Sequence, residues 1–231
     1  MRRPLLLLFV LLSVAAMAQG DRLRPRQQQE LWTSFTVQGG LPGFMKDLVG
    51  KGAMKRFRLT TELGYRSADV FFAGRQVYIE PSVRYKLSDH WLLTVEHRAA
   101  FRPGRTNRHR TCLTVNYRTQ WKRFKFDHRL SYQHNYRDFG EQREVVRNRS
   151  LLTYDFRNFK LDPEISTEFF TWFGHRGARY IGVRHTIGTD WSINKVHSIG
   201  FKLVHDREHG VAWPTYRWIY AISYTFDLRE R

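Results

Sequence analysis

The residue types that carry nucleophilic chemistry are present, but their spacing keeps them apart along the chain. A catalytic serine needs a histidine within hydrogen-bond reach and a third group to orient the ring. His197 stands beside Ser198 and His134 beside Asn135, and adjacent residues of an extended strand point to opposite faces. His128 and His185 have no serine two positions on. His205 and His209 are four apart in a strand-to-loop stretch, without the carboxylate or thiol cluster of a metal centre. Gly50-Lys51-Gly52 lacks the rest of a phosphate-binding loop. These spacings lead to the expectation of a non-enzymatic protein with no cofactor and no metal.

The chemistry that does recur with a period is charge. Arg58, Arg84, Arg98, Arg118, Arg129, Arg149, Arg184 and Lys202 fall on the same strand face as Glu62, Glu80, Glu96, Asp127, Asp155, Glu164 and Glu168. Carboxylates interleave the cations, so the expected role is a network of ion pairs and hydrogen bonds filling an interior, together with Phe170 and Trp172. The alternative is a narrow anion-favouring passage. A second group, Arg102, Arg105, Arg108 and Arg110, clusters around one loop, where guanidinium groups could hold phosphates by charge-assisted hydrogen bonds.

Strands must position these residues. From Val77 to Phe101, Val77, Ile79, Val83, Tyr85 and Leu87 alternate with Tyr78, Glu80, Ser82, Arg84 and Lys86. After Ser88-Asp89-His90, Trp91, Leu93, Val95, His97, Ala99 and Phe101 alternate with Leu92, Thr94, Glu96, Arg98 and Ala100. This period of two describes a long two-faced hairpin. The same alternation recurs from Leu31, Phe57, Cys112, Phe124, Arg149, Leu161, Ile181, Ser198 and Trp218 onward, an odd number of candidate strands. Because bacterial barrels are almost always even, the weak segment Leu31–Gln38 becomes the suspect. Pro81 and Pro163 each remove a ladder donor, which predicts a local bulge or a lost bond. Between Gly39 and Lys55 the spacing of Leu41, Phe44, Met45, Leu48 and Val49 turns helical, predicting a short amphipathic helix near residues 42–49.

Composition sets the compartment. Arg2 and Arg3, the apolar run Leu5–Val14 and Ala16-Met17-Ala18 read as a signal peptide over residues 1–18. Residues 19–30 read as a flexible periplasmic lead-in and 31–231 as the folded unit. The sole cysteine, Cys112, excludes an intrachain disulfide. The formal charge of +18 favours anionic partners, but export and the even spread of arginine over the strands argue against nucleic acid.

An apolar face free of central charges, with aromatic residues near strand ends, fits a membrane barrel better than a soluble one. Short turns at 88–90, 119–122 and 157–159 alternate with longer loops at 67–75, 103–108, 137–145 and 206–215, the asymmetry of outer-membrane barrels. From about Glu30 to Leu228 the chain resembles a family of uncharacterised Gram-negative outer-membrane β-barrels known only as a domain of unknown function. The resemblance rests on Leu31-Trp32, the run from Tyr85 to Trp91, Arg108-His109-Arg110, Leu161-Asp162-Pro163 and the closing Tyr220–Phe226. It implies fold and location but supplies no reaction. The closing strand resembles the aromatic C-terminal signal read by the barrel-assembly machinery, although Asp227–Arg231 follow Phe226.

The expectation is an all-β, antiparallel, up-and-down transmembrane barrel of about 10–12 strands, porin-like in architecture, with both chain ends near the periplasm. Its role is expected to be structural or transport-related, with outer-membrane lipid and lipopolysaccharide phosphates as partners and protein partners unknown. The alternative function is a lipid-modifying enzyme, a lipase or deacylase.

Overall fold

Alternation with a period of two requires every strand to separate an apolar from a polar face, and the chain satisfies this by closing on itself. The computed structural model describes residues 25–228, apart from 70, 137–142, 158–159, 175–176 and 212. The expected signal peptide lies outside the described residues, as do residues 19–24 of the expected lead-in. Among the described residues eleven strands form one closed barrel. They are β1 (Arg26–Gly39), β2 (Phe57–Ser67), β3 (Gly74–Lys86), β4 (Trp91–Phe101), β5 (Arg108–Trp121) and β6 (Phe124–Tyr136). The series continues with β7 (Glu144–Tyr154), β8 (Leu161–Gly174), β9 (Gly177–Ser192), β10 (His197–Glu208) and β11 (Thr215–Asp227).

The odd count is real and lies within the expected 10–12 strands, and the barrel is antiparallel except at one closing pair. Each hairpin reverses direction, so the first and last of eleven strands run the same way. β1 and β11 therefore pair in parallel, from Arg26↔Thr215 to Gln38↔Asp227. The same parity places the start of β1 at the long-loop end and the end of β11 at the short-turn end, rather than both termini together. The suspect segment is a full strand, and it begins before Leu31. Residues 26–30 belong to β1 rather than to a lead-in. Several strands, β5 and β10 among them, extend further into the loops than the apolar pattern indicates, because rim residues are polar on both faces.

The prolines behave as lost bonds rather than bulges. The β3–β4 ladder skips Glu80 and Pro81 while the register from Ile79↔Ala99 to Ser82↔Glu96 is unchanged. Pro163 lies beyond the last β7–β8 pair, Thr153↔Glu164. The irregularities fall elsewhere, at Arg66/Ser67 and at Phe170/Thr171. The β1–β2 connection holds a 3-10 turn, Gly43–Met45, and two single-turn helices, α1 (Lys46–Val49) and α2 (Lys51–Met54). Gly50, at φ 77°, separates them, a conformation that glycine adopts without strain. In the β3–β4 turn, Ser88 Oγ accepts from the backbone N–H of Trp91 at 3.1 Å. The hydrogen bond from Lys86 holds the Asp89 carboxyl below the usual carboxylate range.

The apolar residues point outward. Val77, Val83, Val95, Leu113, Leu130, Ile165, Ile187, Phe201 and Ile222 are all exposed. The buried side chains on the other face include Glu30, Arg98, Asn116, Arg147, Glu164, Glu168 and Asp206. This is the inverse of a soluble barrel. Aromatic contacts ring the short-turn end through Phe57–Tyr85, Trp91–Tyr117, Phe124–Tyr154 and His197–Phe226. The long-loop end carries His97–Tyr136, Tyr180–His209, His205–Trp218 and Phe71–Tyr220. At about 3.3 Å per residue and a tilt of roughly 35–45°, the stretch from Trp91 to Phe101 covers about 25 Å along the barrel axis.

Candidate functional site

An eleven-stranded barrel encloses more room than eight strands, whose interior side chains just fill. Here the inward positions carry long charged side chains that link neighbouring strands around the inner wall. Two carboxylates gather five of them. Glu80 on β3 accepts from Arg98 Nε at 2.6 Å, from Arg98 Nη2 at 2.9 Å and from Arg110 Nη2 at 2.9 Å. Glu168 on β8 accepts from Arg129 Nη2 at 2.8 Å and from Arg147 Nε at 3.0 Å, with Arg184 Nη1 3.7 Å away.

These groups connect into a belt. Gln133 Oε1 accepts from both Arg110 and Arg147, at 3.4 and 3.3 Å. Arg184 donates to Asp206, which also takes Arg217 at 3.0 Å. Arg217 Nε lies 3.4 Å from Glu30, and Glu30 accepts a fork of two bonds from Arg75 at 2.6 and 2.9 Å. The gap is bridged by rings. Trp32 donates to Glu30 at 2.7 Å and lies 3.9 Å beneath the Arg66 guanidinium. Arg66 and Arg98 flank Tyr78 at 5.2 and 3.7 Å, and the Tyr78 hydroxyl donates to Glu62. Every strand supplies a member, and Arg184 over Trp32, at 5.3 Å, joins β9 to β1 past two intervening strands.

The other charges of the expected network form local pairs. Arg58 and Asp227 tie β2 to β11 across β1, with Gln38 donating to the same carboxylate at 3.1 Å. Arg118 donates to Asp127 at 2.6 Å, Lys202 lies 2.6 Å from Glu164, and Lys125 lies 3.2 Å from Asp155. Glu96 is 4.0 Å from Arg110. Arg149 sits in register with Arg129 and Glu168, and Arg84 with Arg58 and Thr94. Phe170 lies beneath Arg147 and Arg184, and Trp172 beneath Arg179.

Sequence reasoning missed Glu30, Arg75, Arg147, Asp206 and Arg217 as members of the belt. Arg147 and Asp206 were findable, since each lies an even number of residues from an inward position on its own strand, Arg149 and Lys202. Glu30 was not, because Gln27, Gln28 and Gln29 erase the polarity difference between faces.

At the long-loop end a cavity of about 450 Å³ is lined by Arg102, Arg105, Arg108 and Arg110, and the belt residues Arg66, Arg75, Arg98 and Arg217 join them. The four loop arginines thus come together on one cavity at this end of the barrel. Arg110 is also held by Glu80, while Arg105 is exposed at the rim.

Gly64 allows this packing. A β-carbon there would lie 2.1 Å from Tyr78 Cζ. Gly64→Ala is expected to displace the ring from Glu62, Arg66 and Arg98, and to destabilise the barrel by about 1–3 kcal/mol. Urea titration of the refolded variant measures the loss, and an unchanged midpoint would rule out the close approach.

On the outer face His128 Nδ1 contacts Ser150 Oγ at 3.1 Å, and His185 Nδ1 contacts Thr167 Oγ1 at the same distance. These partners come from neighbouring strands, so a search along one strand could not find them. The His128 ring also stacks on Phe126, with ring centroids 6.4 Å apart. His134 Nδ1 bonds Glu144 at 2.7 Å, with the Tyr132 hydroxyl on the same carboxylate.

A family described as a protein of unknown function, DUF2490, matches residues 29–217. No curated protein matches the chain.

Proposed function

The chain belongs to the DUF2490 family, and from that premise we propose an integral outer-membrane β-barrel, exported by the signal peptide of residues 1–18, that is structural or transport-related and non-catalytic. The observation that carries this reading is the outward band of exposed aliphatic side chains between two aromatic rings, with the charges turned inward. Buried in water-free hydrocarbon, such a face is stable; in water it would drive association. Lipid and lipopolysaccharide then surround the barrel, and the barrel-assembly machinery inserts it. Failure of the mature chain to remain soluble without detergent is the expected result. A monodisperse detergent-free protein would overturn the membrane reading.

The charged belt supports a largely filled lumen. Side chains from every strand link into it around the inner wall, placing arginine and glutamate where an open pore holds water. Planar-bilayer recordings are therefore expected to give no steady current, whereas a sustained anion-selective conductance would establish the channel instead. The lipid-modifying alternative has the His128–Ser150 contact in its favour. Phospholipid or lipid A turnover by the purified barrel, abolished in Ser150→Ala, would replace the non-catalytic reading.

A further inference from the structure

We infer that the cavity at the long-loop end is a binding site for a hydrophilic phosphorylated anion, anchored by Arg66. The site deepens the reading above by assigning a ligand class, but its geometry does not depend on membrane insertion. Its volume of about 450 Å³ suits a small solute or headgroup. Eight arginines line it against one carboxylate, Glu208, and Ala100 is the single apolar residue of the lining.

The five arginines that belong to the belt differ in their partners. Arg75, Arg98, Arg110 and Arg217 are already held by Glu30, Glu80, Asp206 and Glu208, so their free donors are fixed in place. Arg66 differs. It is enclosed within the barrel and clamped between Trp32 and Tyr78, yet its side chain makes no hydrogen bond or ion pair among the described residues; its Nε is buried without a partner, as are those of Arg110 and Arg217. Desolvating a cation without a counterion is costly, and an anion in the cavity supplies that counterion.

The lining also selects the anion. Guanidinium forks match the oxygens of phosphate, and a phosphate can engage several forks at once. No phenylalanine, tyrosine or tryptophan lines the cavity, and His109 is its single ring. An acyl chain finds no apolar wall. The ligand is therefore a small phosphorylated solute, or a phosphorylated lipid headgroup whose chains stay outside.

Calorimetric titration of the detergent-solubilised barrel tests this with two probes, inorganic pyrophosphate and nanodisc-embedded lipid A. Saturable one-to-one binding is expected, weakened about tenfold or more in Arg66→Gln, with a smaller loss in Arg105→Gln at the exposed rim. Arg66 has no carboxylate to strand, and a gel-mobility check of heat-modifiability confirms folding; if that variant fails to fold, Arg105→Gln carries the test. Pyrophosphate binding identifies a soluble source, and binding of lipid A alone identifies a headgroup. No saturable binding of either probe, or binding indifferent to both substitutions, overturns the assignment.

Discussion

Glu168→Gln is expected to lower the stability of the folded barrel by about 3–5 kcal/mol. The carboxylate is 3% exposed and holds Arg129 and Arg147 directly, with Arg184 in ion-pair range. Glutamine keeps the shape and an acceptor oxygen but removes the charge, so three closely spaced guanidinium groups lose their common counterion. The intact belt is not necessarily more stable than an apolar core of the same volume, because each buried charge has lost hydration. The penalty arises from breaking it on one side. Asp155→Asn provides the contrast. Asp155 pairs with Lys125 near the short-turn end, and both side chains are nearly half exposed, which limits the effect to about 0–1 kcal/mol. Urea midpoints followed by tryptophan fluorescence separate the two variants. Equal midpoints would mean that Glu168 is not a structural centre.

Val95→Arg is expected to cost about 2–4 kcal/mol in a lipid bilayer. Val95 lies midway along β4 between Trp91 and Phe101, on the outer face, with Val83 and Leu113 across the neighbouring strands. All three side chains are exposed, so no steric clash explains a loss. The cost is that of placing a guanidinium in hydrocarbon, and it depends on depth. Thr119→Arg, on the same face but level with the Tyr117–Trp121 aromatic end of β5, is expected to cost about 0–1 kcal/mol. Refolding titrations into lipid vesicles measure both. If Val95→Arg were neutral, or improved solubility without lowering stability, the outer face would be a water-exposed surface.

Much of the barrel was legible before any coordinates. The Val77–Phe101 hairpin, its turn at Ser88–His90, the short helix after residue 42 and eleven candidate strands all follow from local spacing. The one inference drawn against that spacing, an even count, came from the habits of other barrels rather than from these residues. Arg98, Glu164 and Glu168 of the expected network are buried, but their partners were unreadable. Glu80 meets Arg98 and Arg110, Glu168 meets Arg129 and Arg147, and Arg58 meets Asp227, which lies 169 residues away. The Arg102–Arg110 cluster was visible as charge density; that Arg66 and Arg75 complete its cavity was not.

The division has a physical cause. By itself the sequence determined which face of each strand is apolar, because the pleat sends successive side chains to opposite sides and this depends only on neighbours in the chain. It determined the strand number in the same way, since each turn interrupts the alternation. The tertiary structure alone decided how the ends meet, with β1 and β11 in parallel, and which charges touch. Those outcomes depend on register between strands distant in sequence, where a slip of one residue would turn every side chain to the other face. Glu30 shows the limit: a polar residue in a polar run, it becomes a buried anchor only when β11 brings Arg217 beside it.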